Sequence, residues 1–308
     1  MPTISPEQIA QYQRDGFLVI EGLLPEPTRL AMKRAVDDWV AGSRQVSAHD
    51  DVYDLEPGHR ADAPRVRRIK KPHRLHPAFD AFMRAPAVLE VLQALLGPSG
   101  VRLHGSKLNL KAAGFGAAVE WHQDWAFYPH TNDDVLAMGV MLDDVSAENG
   151  PMQVLPGSHR GPLHDHHHPD GYFCGAFDPH HVGLDVSGAV PLIAPAGSCS
   201  FHHARLVHGS AQNRSPSPRN FLLYEFSAAD AFPLRSVIDW DEYNSRLLCG
   251  DASPSPRMAD CPVRLPFPPA PRQGSICESQ SMMPGSSLRG PEPRIPGQND
   301  RCRLESRR

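Results

Sequence analysis

The chain has 308 residues, of which 40% are hydrophobic and 21% charged, and its formal net charge at pH 7 is −4. That balance describes a globular protein, excludes a disordered one, and gives no reason to expect nucleic-acid binding. No apolar run of about 18 residues is present, so no membrane-spanning helix is expected. The start, Met1-Pro2-Thr3-Ile4-Ser5, has neither a basic region nor an apolar core, so a signal peptide is not expected and a cytoplasmic location follows. The six cysteines show no CxxC spacing and read as free thiols.

Ser5-Pro6-Glu7-Gln8 sets a capping residue, a proline at the first helical position and a glutamine three residues after the cap. The helix it opens ends at Gly16, and Phe17-Leu18-Val19-Ile20 reads as a strand. Further helices are predicted over 27–40, 77–84 and 86–96, with 43–75 as a polar loop. After Gly100 the pattern turns to short β-like runs near 101–112, 119–124, 137–143, 151–156, 190–194, 198–202, 205–210 and 219–227. Asn149-Gly150 is a hairpin signal and Pro156-Gly157 a sharp turn. Helices followed by about eight strands predict a mainly β protein with flanking helices, built on a double-stranded β-helix, or cupin-like jelly roll. The expected organisation is one domain over 1–280: a helical part (1–100), a β core (101–230) and an extension (231–280), of which 251–280 is expected to lie across the core. A disordered tail is expected over 281–308.

Trp121-His122-Gln123-Asp124 sits inside a strand pattern, and side chains two apart on a strand share a face. His122 and Asp124 can therefore reach one metal. An HxD alone is weak, but His208 follows a second strand-like stretch and can supply a third ligand. Two histidines and a carboxylate on one side of the metal leave three positions open, the arrangement of non-haem iron(II) oxygenases. Arg219, eleven residues beyond His208, offers a fork suited to a carboxylate such as the distal one of 2-oxoglutarate. Ser210 shares a strand face with His208 and can add a hydroxyl to the same cosubstrate.

The segments His122-Gln123-Asp124, Glu148-Asn149-Gly150, Leu155-Pro156-Gly157-Ser158-His159 and His208-Gly209-Ser210-Ala211-Gln212-Asn213 with Arg219 resemble the phytanoyl-CoA dioxygenase family. The opening Tyr12-Gln13-Arg14-Asp15-Gly16-Phe17-Leu18-Val19 is similar as well, so the likeness spans roughly 5 to 230. It implies a jelly roll, iron(II), 2-oxoglutarate and O2 as cosubstrates, ascorbate as a candidate stimulant, and hydroxylation at an unactivated carbon. It assigns His122, Asp124 and His208 to iron and Ser210 and Arg219 to 2-oxoglutarate. Lys107 matches a cosubstrate-pocket position whose residue type varies. A tryptophan lining the pocket in some members corresponds here to Val140, so that contact is expected to be missing.

Other readings stay open. Lys107 and Lys111 share a strand face and either line the pocket or are solvated. His164 to His168 read as a flexible loop near the pocket mouth rather than a second metal site. At most one of His202 and His203 is expected to face the barrel interior. The Pro156–His159 turn reads as structural. The basic run Arg65–Lys71 is either a solvated face or an attractor for an anionic substrate. The expected partner is a small molecule, with an anion as one option. A halogenase of this fold would carry a small residue in place of Asp124, which counts against that reading. An inert binding protein of the same fold is the remaining alternative.

Overall fold

The structure is a computed structural model describing residues 3–114, 116–235 and 239–260, the helix 276–280 and several positions between 262 and 288. The first helix, α1 (Pro6–Asp15), is capped as its sequence predicts. The Ser5 hydroxyl accepts from the Gln8 amide at 3.3 Å, and the Gln8 side chain accepts from the Ser5 amide at 2.8 Å. Gly16 closes it at φ +80°, where a Cβ would lie 2.4 Å from the His159 ring. There follow β1 (Phe17–Ile20) and α2 (Glu26–Gly42).

Next come β2 (Tyr53–Leu55), β3 (Val66–Lys70) and the single-turn α3 (Pro72–Leu75), all within the stretch predicted as loop. That expectation fails because β3 carries three cations among five residues, which hides its alternation. Those cations meet carboxylates across the ladder: Lys70 and Arg68 lie 2.9 and 3.8 Å from Asp54, and Arg67 lies 2.7 Å from Glu56. The basic run is thus no freely solvated face.

The helices α4 (Pro77–Met83) and α5 (Pro86–Leu96) appear where predicted. Then come β4 (Val101–Lys111), β5 (Val119–His122), β6 (Val135–Met141), β7 (Met152–Val154) and β8 (Val190–Pro191). The set closes with β9 (Cys199–His203), β10 (His208–Ser210), β11 (Arg219–Ala228), α6 (Trp240–Ser245), β12 (Leu247–Cys249) and α7 (Ile276–Gln280).

Among the described residues the strands form two antiparallel sheets. The larger runs β1-β9-β6-β11-β4-β3-β2, with β12 beside β4, and the smaller runs β5-β10-β7-β8. This is the jelly roll expected, with one correction. Asn149-Gly150 joins β6 to β7, which belong to different sheets, so the turn carries the chain across the barrel and makes no hairpin. Asn149 holds it by accepting from the Ser146 amide at 3.0 Å and donating to the Asp144 carbonyl at 2.8 Å.

The large sheet is buried on both faces. Leu222, Tyr224 and Phe226 of β11 point outward into a core shared with Met32, Phe79, Val91 and Leu92 of the helices. Val140 belongs to that outer core. The alternate residues Arg219, Phe221, Leu223 and Glu225 point between the sheets and line a cavity. Phe221 lies so close over β6 that a Cβ on Gly139 would fall 2.1 Å from its ring, so only glycine fits there. Cys174, Cys199 and Cys249 are free thiols, as expected; the side chains of Cys261, Cys277 and Cys302 lie outside the described residues. So does the predicted tail, apart from Met283 and Leu288. No helix among the described residues is long and apolar enough to cross a membrane.

Candidate active site

His122 ends β5 and His208 opens β10, and the two stand directly opposite in register with ring centroids 4.1 Å apart. β5 stops two residues earlier than the alternation argument needs. Gln123 is nevertheless extended, at φ −123° and ψ 125°, so the two-residue period carries through to Asp124 at the head of a 3-10 turn. One ligand atom from each of His122, Asp124 and His208 lies within 4.8 Å of the others, and all three residues are buried.

The protonation pattern suits a cation. The His122 Nδ1 faces the Glu120 carbonyl at 2.7 Å, and the His208 Nδ1 faces the Leu206 carbonyl at 2.9 Å. A carbonyl only accepts, so each Nδ1 carries the proton and each Nε2 turns a lone pair to the common centre. Burial, reinforced by His208, holds His122 well below the usual imidazole range; burial brings His208 down to about 4. Burial alone would raise the Asp124 pKa. The His202 hydrogen bond and the Lys107 and His208 charges outweigh it, so the carboxyl stays well below its ordinary value. Two neutral imidazoles and one carboxylate are thus ready to bind iron(II).

His202 is the supporting residue that sequence reasoning located only by face. It is fully buried on β9, with Nε2 3.2 Å from Asp124 Oδ2. It therefore fixes one carboxylate oxygen and leaves Oδ1, 3.7 Å from His122 Nε2, for the metal. His203 points instead toward Tyr12 and His159, so one of the pair faces inward, as expected.

Gln123 has a role that the HxD motif conceals. Its backbone N–H donates to His166 Nε2 at 2.8 Å, and its side chain bonds Pro162, His164 and Arg205 of the neighbouring loops. This overturns the expected flexible loop at 164–168. His166 and His167 are buried, the former locked behind the metal ligands, and neither joins the ligand cluster. The Pro156–His159 turn is structural: Ser158 Oγ accepts from the Val207 amide at 2.9 Å, just before His208.

The ligands open into a cavity of about 540 Å³ between the sheets. Arg219 lines it, is 3% exposed, and has its Nε without a hydrogen-bond partner. No carboxylate among the described residues lies within ion-pair distance of it. Burial pushes its guanidinium down to about 10 against the opposing pull of Asp143. A buried, unpaired arginine in a cavity is a receptor for an anion. Lys111 sits opposite Arg219 in register and donates to Ser210 Oγ at 2.8 Å and to the Ala211 carbonyl. Lys107 lines the same cavity, its ammonium 2.7 Å from Glu225 Oε1. Both lysines thus face the pocket. Val140 does not: it points into the outer core, so position 140 is not the pocket-lining position the resemblance implied. From the extension, Pro268, Pro269, Ile276 and Gln280 form part of the wall, a contribution no sequence motif signals.

Comparison with known proteins agrees with this geometry. The chain is 36% identical to a probable alpha-ketoglutarate-dependent hypophosphite dioxygenase of Stutzerimonas stutzeri, over 89% of this chain and 96% of that protein. It is 30% identical to an L-proline trans-4-hydroxylase of Streptomyces griseoviridis, over 74% and 88% of the respective chains. Among solved structures, EctD from S. alaskensis with 2-oxoglutarate and 5-hydroxyectoine superposes with a TM-score of 0.62 at 27% identity, covering 74% of this chain and 77% of that one. The family model described as phytanoyl-CoA dioxygenase matches residues 12–221. With the metal triad, the jelly roll and this match in agreement, the chain belongs to the phytanoyl-CoA dioxygenase family.

Proposed function

We propose that this protein is an iron(II)- and 2-oxoglutarate-dependent dioxygenase that hydroxylates a small molecule. The observation that carries the reading is the pairing, within one cavity, of the His122–Asp124–His208 cluster with the buried, unpaired Arg219. Iron(II) with 2-oxoglutarate supplies the oxidising chemistry: one atom of O2 goes to the substrate and the other to succinate as CO2 is released.

The chain's own residues make that chemistry selective. His122 and His208 present Nε2, and Asp124 presents the oxygen that His202 leaves free. Arg219, with Ser210 and Lys111 beside it, receives the distal carboxylate in a charge-assisted fork. Lys107 borders the same pocket, held by Glu225. Phe127, Phe173, Phe221 and Leu223 keep the wall apolar and exclude water from the reacting atoms.

The bond attacked is a C–H bond at an unactivated carbon. A P–H bond is a second reading, favoured by the 36% identity to a protein named for hypophosphite, a substrate without carbon. A screen for substrate-stimulated succinate formation over hypophosphite, phosphonates, amino-acid derivatives, small acids and acyl thioesters tests both. A stimulated candidate with a hydroxylated product supports the reading, and absence of iron- and 2-oxoglutarate-dependent succinate under all conditions rejects it.

A further inference from the structure

The cavity wall carries more positive charge than the metal and cosubstrate account for. Its described lining includes five cationic side chains, Arg68, Lys107, Lys111, Arg219 and Arg235, against two carboxylates, Asp124 and Glu225; counting also Asp54, 3.8 Å from Arg68 outside the lining, a surplus of two remains. Iron(II) adds two positive charges and 2-oxoglutarate brings two negative ones, so the surplus persists in the loaded site.

Four of these cations are spread along one face of the large sheet. Arg219 and Lys111 stand opposite each other at one end, next to Ser210. Lys107 lies four residues back along β4, with Glu225 at 2.7 Å. Arg68 enters from β3, in register with Asn109 and donating to its Oδ1 at 3.1 Å. The Lys107 charge is felt at Asp124, and that of Arg68 at Lys107, so this second cluster borders the metal ligands. The two cationic groups thus stand at different places, one beside Ser210 and one beside Asp124. Phe127, Phe173 and Leu223 line the same cavity and lower its polarity, which strengthens the pull on an anion.

We propose that Arg68 and Lys107 form the substrate's recognition site and that the substrate is a small oxyanion, a carboxylate or a phosphorus oxyanion, gripped by that pair. Glu225 orients the ammonium, and the Arg68 guanidinium supplies the planar fork that two oxyanion oxygens match. This rests on the dioxygenase reading of the same cavity.

The test is anaerobic calorimetry of the iron(II)-loaded protein. A first titration with 2-oxoglutarate checks the dioxygenase reading by itself; if no binding occurs, that reading fails before the oxyanion is tried. At saturating 2-oxoglutarate the protein is then titrated with hypophosphite, acetate and the uncharged acetamide. At least one oxyanion should bind and acetamide should not, and the tighter of the two identifies the source. Arg68→Gln should weaken that binding by about ten-fold or more while 2-oxoglutarate affinity stays within about two-fold, which also certifies the fold, and Lys107→Gln should weaken oxyanion binding by about ten-fold or more as well. Arg68→Lys should recover part of the loss. No oxyanion binding, equal binding of acetamide, or undiminished oxyanion affinity in both glutamine variants would overturn the proposal.

Discussion

Replacing Arg219 by methionine separates stability from cosubstrate binding in a way few substitutions here can. The guanidinium is almost wholly buried, its Nε unpaired, and burial pushes its pKa down to about 10, well below the usual guanidinium range. At about 1.4 kcal/mol per unit, holding that charge inside the protein costs the folded state on the order of 3 kcal/mol. Methionine keeps most of the side-chain volume and removes the charge, and such swaps of uncompensated buried charge for apolar groups are neutral or stabilising by roughly 1–4 kcal/mol. Binding should move the other way. Losing a charge-assisted pair of about 1.5–3 kcal/mol predicts a roughly ten- to hundred-fold weaker 2-oxoglutarate complex. Calorimetric titration of the iron(II) protein gives the affinity, urea unfolding of the metal-free protein gives the stability, and iron content should match the parent. Parental 2-oxoglutarate affinity in Arg219→Met, with the variant folded, refutes the assignment of Arg219.

Asp124→Gly removes one of three ligands, and turnover should fall by several orders of magnitude while the melting temperature stays close to that of the parent metal-free protein. Mass spectrometry of products in chloride buffer should show no halogenated species, because a vacated ligand position alone does not build a chloride site. His202→Phe removes the bond that orients Asp124 and should weaken iron(II) about ten- to hundred-fold, measured by competition with a chelator. His166→Ala should leave iron stoichiometry intact but lower the melting temperature, since it strips the Gln123 amide of its acceptor and opens a void. Acid should destabilise the metal-free protein. His73, His166 and His203 have folded pKa values of about 4, and His130 about 3, all driven down first by burial, against 6.5 when unfolded. The unfolded chain therefore binds more protons from pH 6.5 down to about 4, so stability present above pH 6.5 is lost across that window, by up to about 1.4 kcal/mol per pH unit for each group. Urea midpoints that do not fall between pH 6.5 and 4 contradict this account of the buried histidines.

The parts of the fold that could be read from sequence were those with an uninterrupted local signal. Ser5 and Gln8 announce α1 by a reciprocal cap, and β11 announces itself by the apolar run Phe221-Leu222-Leu223-Tyr224. β2 and β3 were missed because their stability lies in ion pairs between Asp54 and Glu56 on one side and Arg67, Arg68 and Lys70 on the other. No window over one strand contains both halves of such a pair. The metal triad was legible because the two-residue period of β5 survives to Asp124 through one extended residue. The packing behind it was not. Gln123 and His166 meet across 43 residues of sequence, and a histidine-rich run looks the same whether it waves in solvent or is locked under a strand. That the extension would lie across the core was expected, but that Pro268, Ile276 and Gln280 reach the cavity wall was not, since proline-rich composition does not say which side chains face inward.

The central claim, that this cavity couples 2-oxoglutarate to O2 at the His122–Asp124–His208 site, is tested most directly by isotope. The iron(II)-loaded protein is supplied with 2-oxoglutarate and 18O2, with the best substrate of the screen present, and the succinate is weighed by mass spectrometry. One 18O atom per succinate, lost along with the succinate itself in His122→Ala and His208→Ala, is the predicted result. Succinate without label, or labelled succinate formed equally by the two alanine variants, contradicts the account.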